Sequence, residues 1–156
     1  MKRKLLELWG ALPLPAWLRY RMALAGARRF PVGVAAVALN EAGQVLLFKH
    51  SYRGRHPWGL PTGWLKAGEH PDEAVVREIE EESGLQAEDV RILFAHHPPR
   101  VFQIDLVYHC RVRPGDFRPS AEVIEIGWFN WDDLPPLMDF QYDMMGRIRG
   151  ALELDF

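Results

Sequence analysis

Between Gly63 and Leu85 the sequence runs GWLKAGEHPDEAVVREIEEESGL, a stretch that dictates a helix with two faces of opposite character. Pro71 suits the first helical position, Asp72 and Glu73 lie where the helix dipole favours negative charge, and Gly84 is placed to end the helix. At about 100° per residue, Val75, Val76 and Ile79 gather on one side, the spacing of a face turned to a core. Glu78, Glu81 and Glu82 fall within an arc of roughly 100° on another side, and Glu80 projects away from them. Each like-charged pair at such spacing costs a helix about 0.2 to 0.5 kcal/mol. No Lys between Glu69 and Leu85 relieves that repulsion. Taken alone, the glutamates read as an acidic surface patch. The other reading is a hard divalent cation such as Mg2+, which takes oxygen ligands and keeps positions for water and phosphate.

The spacing goes further than charge. Gly63, Glu69, Arg77, Glu78, Ile79, Glu81, Glu82, Gly84 and Leu85 fill every defined position of the pattern G-x5-E-x7-R-E-U-x-E-E-x-G-U, where U is aliphatic. At average residue frequencies one chain matches this by chance less often than about once in a million. The pattern is the Nudix box, and in it the chain resembles the Nudix hydrolase family. Flanking strands and the segment from Trp128 to Pro135 extend the likeness over roughly residues 30 to 150.

That resemblance implies an α/β fold, a Nudix-type α/β/α sandwich with a mixed sheet, here with an N-terminal helical extension. It implies Glu78, Glu81 and Glu82 as ligands of Mg2+, with Mn2+ as a substitute, and the Gly63 carbonyl as a further ligand. Arg77 and Glu69 match the pair that ties loop to helix and orients the glutamates. The implied activity is cleavage of the pyrophosphate bond of a nucleoside diphosphate derivative by metal-activated water. Glu82 or Glu81 is the expected proton acceptor, with Glu122 the candidate if a later loop supplies it and Glu125 a weaker one. The alternative is a Nudix-fold module that senses a nucleotide without cutting it, although such modules often lose box glutamates and all three stand here. One departure precedes the box: Pro61-Thr62-Gly63 stands where Pro-Gly-Gly is commoner.

The loop from Ser51 to Gly68 offers Arg53, Arg55, His56 and Lys66 as phosphate partners, Arg being suited to bidentate contact. Trp64, Phe102, Tyr52 and Trp58 are candidates for stacking on a base, whereas packing is the plainer reading of Trp58, Trp128 and Phe129. His96-His97 precedes Pro98-Pro99 and lacks a metal-ligand set, so a turn is expected there. Cys110, in an alternating stretch, reads as a core or sheet residue. It is the only cysteine, which rules out an intrachain disulfide and fits a reducing, cytoplasmic setting.

Around the box, Val32 to Leu39 and Val45 to Lys49 are apolar runs separated by Asn40 to Gly43, the outline of a hairpin. Arg91 to Ala95, Val101 to Val112 and Glu125 to Trp131 read as further strands, Asp132 to Pro135 as a short helical turn, and the tail from Asp139 as a helix. Strands on both sides of one central helix make a mixed α/β domain, assigned to residues 30–156, after an extension over 1–29. In that extension Lys2 to Leu12 reads as an amphipathic helix and Ala16 to Arg29 as a second helical stretch. Glu7, Pro13 and Pro15 interrupt it, so no run approaches the roughly 18 apolar residues of a membrane span. The extension is also a candidate arm for a homodimer. A net charge of -2 gives no electrostatic reason to expect nucleic acid, which leaves a nucleotide-type small molecule as the expected partner.

Overall fold

The computed structural model describes residues 14–27, 29–98 and 101–152. Helix α1 spans Ala16–Ala25, and none of its residues is buried. The stretch from Lys2 to Leu12 lies outside the described residues. The domain then runs β1 (Val32–Ala38), β2 (Val45–His50), β3 (Trp58–Gly59), β4 (Thr62–Trp64), α2 (Pro71–Ser83), β5 (Ala87–His96), β6 (Ile104–Val112), β7 (Val123–Phe129) and α3 (Asp139–Ala151). Among the described residues no helix is long and apolar enough to cross a membrane.

Two sheets form. The four-stranded sheet has the order β4-β1-β6-β5 and the three-stranded sheet the order β3-β2-β7. β1 and β6 run parallel while their outer partners run antiparallel, so the larger sheet is mixed. β1 is apolar on both faces and explains the layering. Val34, Ala36 and Ala38 pack with Val75 and Ile79 of α2, whereas Ala35 and Val37 pack with Met144, Met145 and Ile148 of α3. β2 divides likewise, Leu46 and Phe48 toward α2 and Val45 and Leu47 toward α3. Helices on both sides of the strands give the expected α/β/α sandwich.

The hairpin reading needs correction. Asn40 does organise a turn, its Oδ1 accepting from the N–H groups of Ala42 at 3.0 Å and Gln44 at 2.9 Å, with Gly43 at φ 74°. Beyond the single bridge Leu39↔Val45, however, β1 and β2 part into different sheets. A strand apolar on both faces needs cover on both sides, and β1 gains lateral partners in β4 and β6 that a two-stranded hairpin would not supply. Other boundaries also shift. β6 starts at Ile104 rather than Val101, β5 begins earlier at Ala87, and no helix forms over Asp132 to Pro135, where instead a turn over Asn130 to Asp133 is closed by Asp133 N–H to the Asn130 carbonyl at 3.1 Å. Within α2 the core face is Ala74, Val75 and Ile79, with Val76 only half-buried. Trp128 is 36% exposed rather than packed inside, while Trp58 meets Phe129 edge-on at 4.9 Å, and Cys110 is buried in β6.

His50 closes β2 with 1% of its surface exposed, its ring tilted against that of Tyr52 at 5.5 Å. Burial, reinforced by Arg53, lowers its pKa from 6.5 to about 4. The fold therefore favours the neutral ring. The associated stability is complete above pH 6.5 and is lost as pH falls toward 4. Replacing His50 by Leu should flatten the acid limb of a urea-melt series over that interval, by up to about 3 kcal/mol relative to the parent chain. Parallel curves would show that His50 does not titrate this way.

Candidate active site

α2 owes its position to its ends. The N–H of His70 reaches the Glu73 carboxylate at 3.4 Å, and Gly84 takes the left-handed conformation at φ 72° while its N–H bonds the Glu80 carbonyl at 2.8 Å. The helix thus sits with Glu78 against β4, so close that a Cβ on Gly63 would occupy the space of the Glu78 carboxyl. Only glycine fits at that point, which gives the first residue of the sequence pattern a steric reason.

Arg77 is the hub of the loop and helix. Its Nε and Nη2 bind the Glu69 carboxylate at 2.6 and 3.0 Å, and its Nη2 also donates to the Trp64 carbonyl at 3.2 Å. Its Nη1 donates to Glu78 at 2.7 Å and to Glu81 at 3.1 Å. The hydrogen bonds from Arg77, helped by the Lys66 N–H, hold the Glu69 carboxyl at about 2, and Glu69 in turn raises the guanidinium above its ordinary range. Lys66 Nζ lies 3.6 Å from Glu81. Two of the three stacked glutamates therefore meet positive charge inside the chain. The electrostatic case for an outside cation, drawn from the absence of lysine, narrows to the third.

That third residue is Glu82. It is 6% exposed, and its Oε2 has no hydrogen-bond partner among the described residues. Burial pushes its pKa up to about 8, with Glu78 and Glu122 adding repulsion and Arg53 opposing it. The three glutamates face a cleft of about 500 Å³ whose lining also includes Gly63, Trp64, Lys66, Arg77, Arg53 and Glu122. Arg53 is steadied there by Thr62, whose Oγ1 accepts from Nη2 at 3.4 Å, and by the Tyr52 ring at 5.7 Å. The departure from Pro-Gly-Gly thus brings a hydroxyl to a cleft arginine.

Several sequence candidates lie elsewhere. Arg55 and His56 are exposed and do not line the cleft. Phe102 is 68% exposed and stacks on Phe30 at 5.8 Å with planes 9° apart, outside the lining, although its neighbour Gln103 belongs to it. Glu125 is paired with Lys49 at 2.7 Å. His96 is buried in contact with Arg147 at 3.0 Å, and His97 Nδ1 lies 2.8 Å from the Gln103 carbonyl, so the two histidines serve local packing.

Sequence reasoning missed Gln103, Asp105, Phe140 and Met144, all of which line the cleft. Asp105 alternates along β6 with Val107, His109 and Arg111, so it is one more polar residue on a mixed face and carries no local signal. Phe140 and Met144 sit far along the chain on α3, where no local pattern links them to the box.

A family model described as NUDIX domain matches residues 29–147. A MutT-like protein from Streptomyces ambofaciens is 30% identical over 122 residues, 78% of this chain and 77% of the relative. An RNA pyrophosphohydrolase from Actinobacillus succinogenes is 45% identical over 62 residues, which cover 40% of this chain but only 30% of that protein. Among solved structures, an ADP-ribose pyrophosphatase from Streptococcus suis superposes with a TM-score of 0.67 at 28% identity, covering 80% of this chain and 91% of the other.

Proposed function

The chain belongs to the Nudix family, and on that premise we propose that it is a pyrophosphohydrolase acting on a nucleoside diphosphate derivative, with Mg2+ as cofactor and Mn2+ as a substitute. The observation that carries this reading is Glu82, a buried carboxylate with one unpartnered oxygen, facing the same cleft as Glu78, Glu81 and Glu122. A buried anionic group without a partner calls for a cation or a proton.

The donor set suits a hard cation. Glu78, Glu81, Glu82 and the Gly63 carbonyl offer oxygen only, which matches Mg2+ rather than a thiolate- or imidazole-seeking metal. Among the described residues no three acidic or imidazole groups converge as a ready cage, because Glu78 and Glu81 lean on Arg77. Mg2+ does not need one, since it is usually held by one or two carboxylates together with water and phosphate oxygens. When bound, a divalent cation neutralises diphosphate charge and acidifies water.

The remaining roles fall to the chain itself. Arg53 and Lys66 line the cleft and serve as the phosphate partners, Lys66 as a point charge and Arg53 as a guanidinium whose Nη1 is turned inward toward Gly59. Glu82, once deprotonated, takes the proton of the attacking water, and Glu81 or Glu122 is the alternative acceptor. Arg77 and Glu69 keep the loop on the helix so that these groups share one geometry.

A release assay tests the proposal. The chain is incubated with a panel of nucleoside diphosphate derivatives and Mg2+, Mn2+ or EDTA. ADP-ribose belongs in the panel because the Streptococcus suis enzyme is named for it. Nucleoside monophosphate should appear with either cation and fall to background with EDTA. Tight nucleotide binding with no release under either cation would leave the non-catalytic sensing module instead.

A further inference from the structure

Trp64 on β4, Gly33 on β1 and Asp105 on β6 stand in one cross-strand row, with Gly33 opposite Trp64 on one side and Asp105 on the other. Adjacent strands lie about 4.8 Å apart, so the row sets the Trp64 and Asp105 backbones roughly 10 Å from each other with a glycine between them. All three residues line the cleft. Trp64 is 55% exposed, a large ring left in the open.

Asp105 is 6% exposed, and its carboxylate leans over Gly33 into the space a Cβ would take. Gln103 Nε2 pins both oxygens, at 2.9 and 3.0 Å, and no cationic side chain pairs with Asp105 among the described residues. A carboxylate so held offers acceptors only and repels phosphate. The end of the substrate it faces is therefore the end without phosphate. An aromatic wall opposite a fixed acceptor pair suits a flat ring that stacks on the indole and presents adjacent N–H groups to the carboxylate.

Resting on the nucleotide reading above, we propose that the row Trp64–Gly33–Asp105 is the base-recognition slot and that it selects guanine. Guanine carries N1–H and N2–H side by side, matching the two carboxylate oxygens. Adenine sets the acceptor N1 beside its amine, and uracil flanks N3–H with two carbonyls. Either arrangement turns lone pairs toward the carboxylate, a repulsive element that discriminates as strongly as the attractive one. Gly33 belongs to the device, because any side chain there would push the Asp105 carboxylate aside.

The test is an equilibrium titration of the full chain, with Mg2+ present, by GMP, IMP, AMP and UMP. Turnover is measured in parallel on the GDP, IDP, ADP and UDP derivatives of one common leaving group. GMP should bind about tenfold or more tightly than AMP and UMP, the range of a good bidentate contact, with IMP in between. Asp105→Asn should erase that preference, and Trp64→Ala should weaken all four nucleotides. Gly33→Ala reaches the same carboxylate from β1 and reads out the same ratio if Asp105→Asn fails a thermal-melt check. Equal affinities in the parent chain, or a guanine preference that survives both substitutions, would overturn the proposal. The two readings separate cleanly. Cleavage without base preference removes the slot and keeps the hydrolase, while an Asp105-dependent guanine preference without cleavage does the reverse.

Discussion

Glu82→Gln is expected to lower turnover by about two orders of magnitude or more while the protein stays folded. The carboxamide has the shape of the carboxyl but cannot accept a proton from water, so the chemical step loses its base. The fold should tolerate the change for a reason particular to this site. Burial and the neighbouring Glu78 and Glu122 hold the Glu82 pKa at about 8, so near pH 7 the cation-free protein already carries mostly a neutral group there. Gln then replaces one uncharged side chain by another. Circular dichroism melts set beside initial rates make the check. Turnover near that of the parent chain would take Glu82 out of the chemistry and pass the role to Glu122, which faces the same cleft.

Arg77→Ala should have the largest effect on stability, a loss of about 2 kcal/mol, between the values for exposed and for buried ion pairs because its partners are only partly buried. Arg77 donates to Glu69, Glu78, Glu81 and the Trp64 carbonyl, and its removal leaves three carboxylates crowded with only Lys66 near them as counter-charge. Activity should fall with it, because the loop that carries Gly63 and Lys66 would no longer be tied to α2. Arg77→Lys should recover only part of the loss, since an ammonium restores charge but not the fork that grips Glu69 through two nitrogens. Urea melts at low salt measure both. A loss below about 1 kcal/mol for Arg77→Ala would place the cluster among exposed ion pairs of little consequence.

Much of the sandwich is legible from short-range pattern. α2 appears with its ends correctly placed because proline, acidic first-turn residues and a terminal glycine act locally. β1 and β2 appear because they are continuous apolar runs. β3 and β4 stay hidden inside the loop, being two and three residues long, too short for any period to register. The separation of β1 and β2 into two sheets is a tertiary decision, made by which partners cover each face, and a turn signal such as that of Asn40 to Gly43 cannot announce it.

The site divides in the same way. Residues fixed by helical spacing, Glu78, Glu81, Glu82 and Arg77, come together as the spacing implies. Loop residues were less readable. Arg53 and Lys66 reach the cleft whereas Arg55 does not, since a side chain in a loop has no periodicity to give its direction. Gln103 and Asp105 were overlooked because their meaning depends on β1 lying beside β6, a pairing of residues some seventy positions apart in the chain.

β1 has one more implication. Gly33 and Val34 are consecutive, yet Val34 packs toward α2 and its glutamates while Gly33 opens toward Asp105 and Trp64. Alternation along a single strand thus puts the glutamate-bearing helix on one side of the backbone and the Trp64–Asp105 row on the other. Substitution at Trp64 or Asp105 is therefore expected to reshape one wall of the cleft while leaving the packing of Val34 on α2 intact. A scaffold wired in that manner lends itself to diversification.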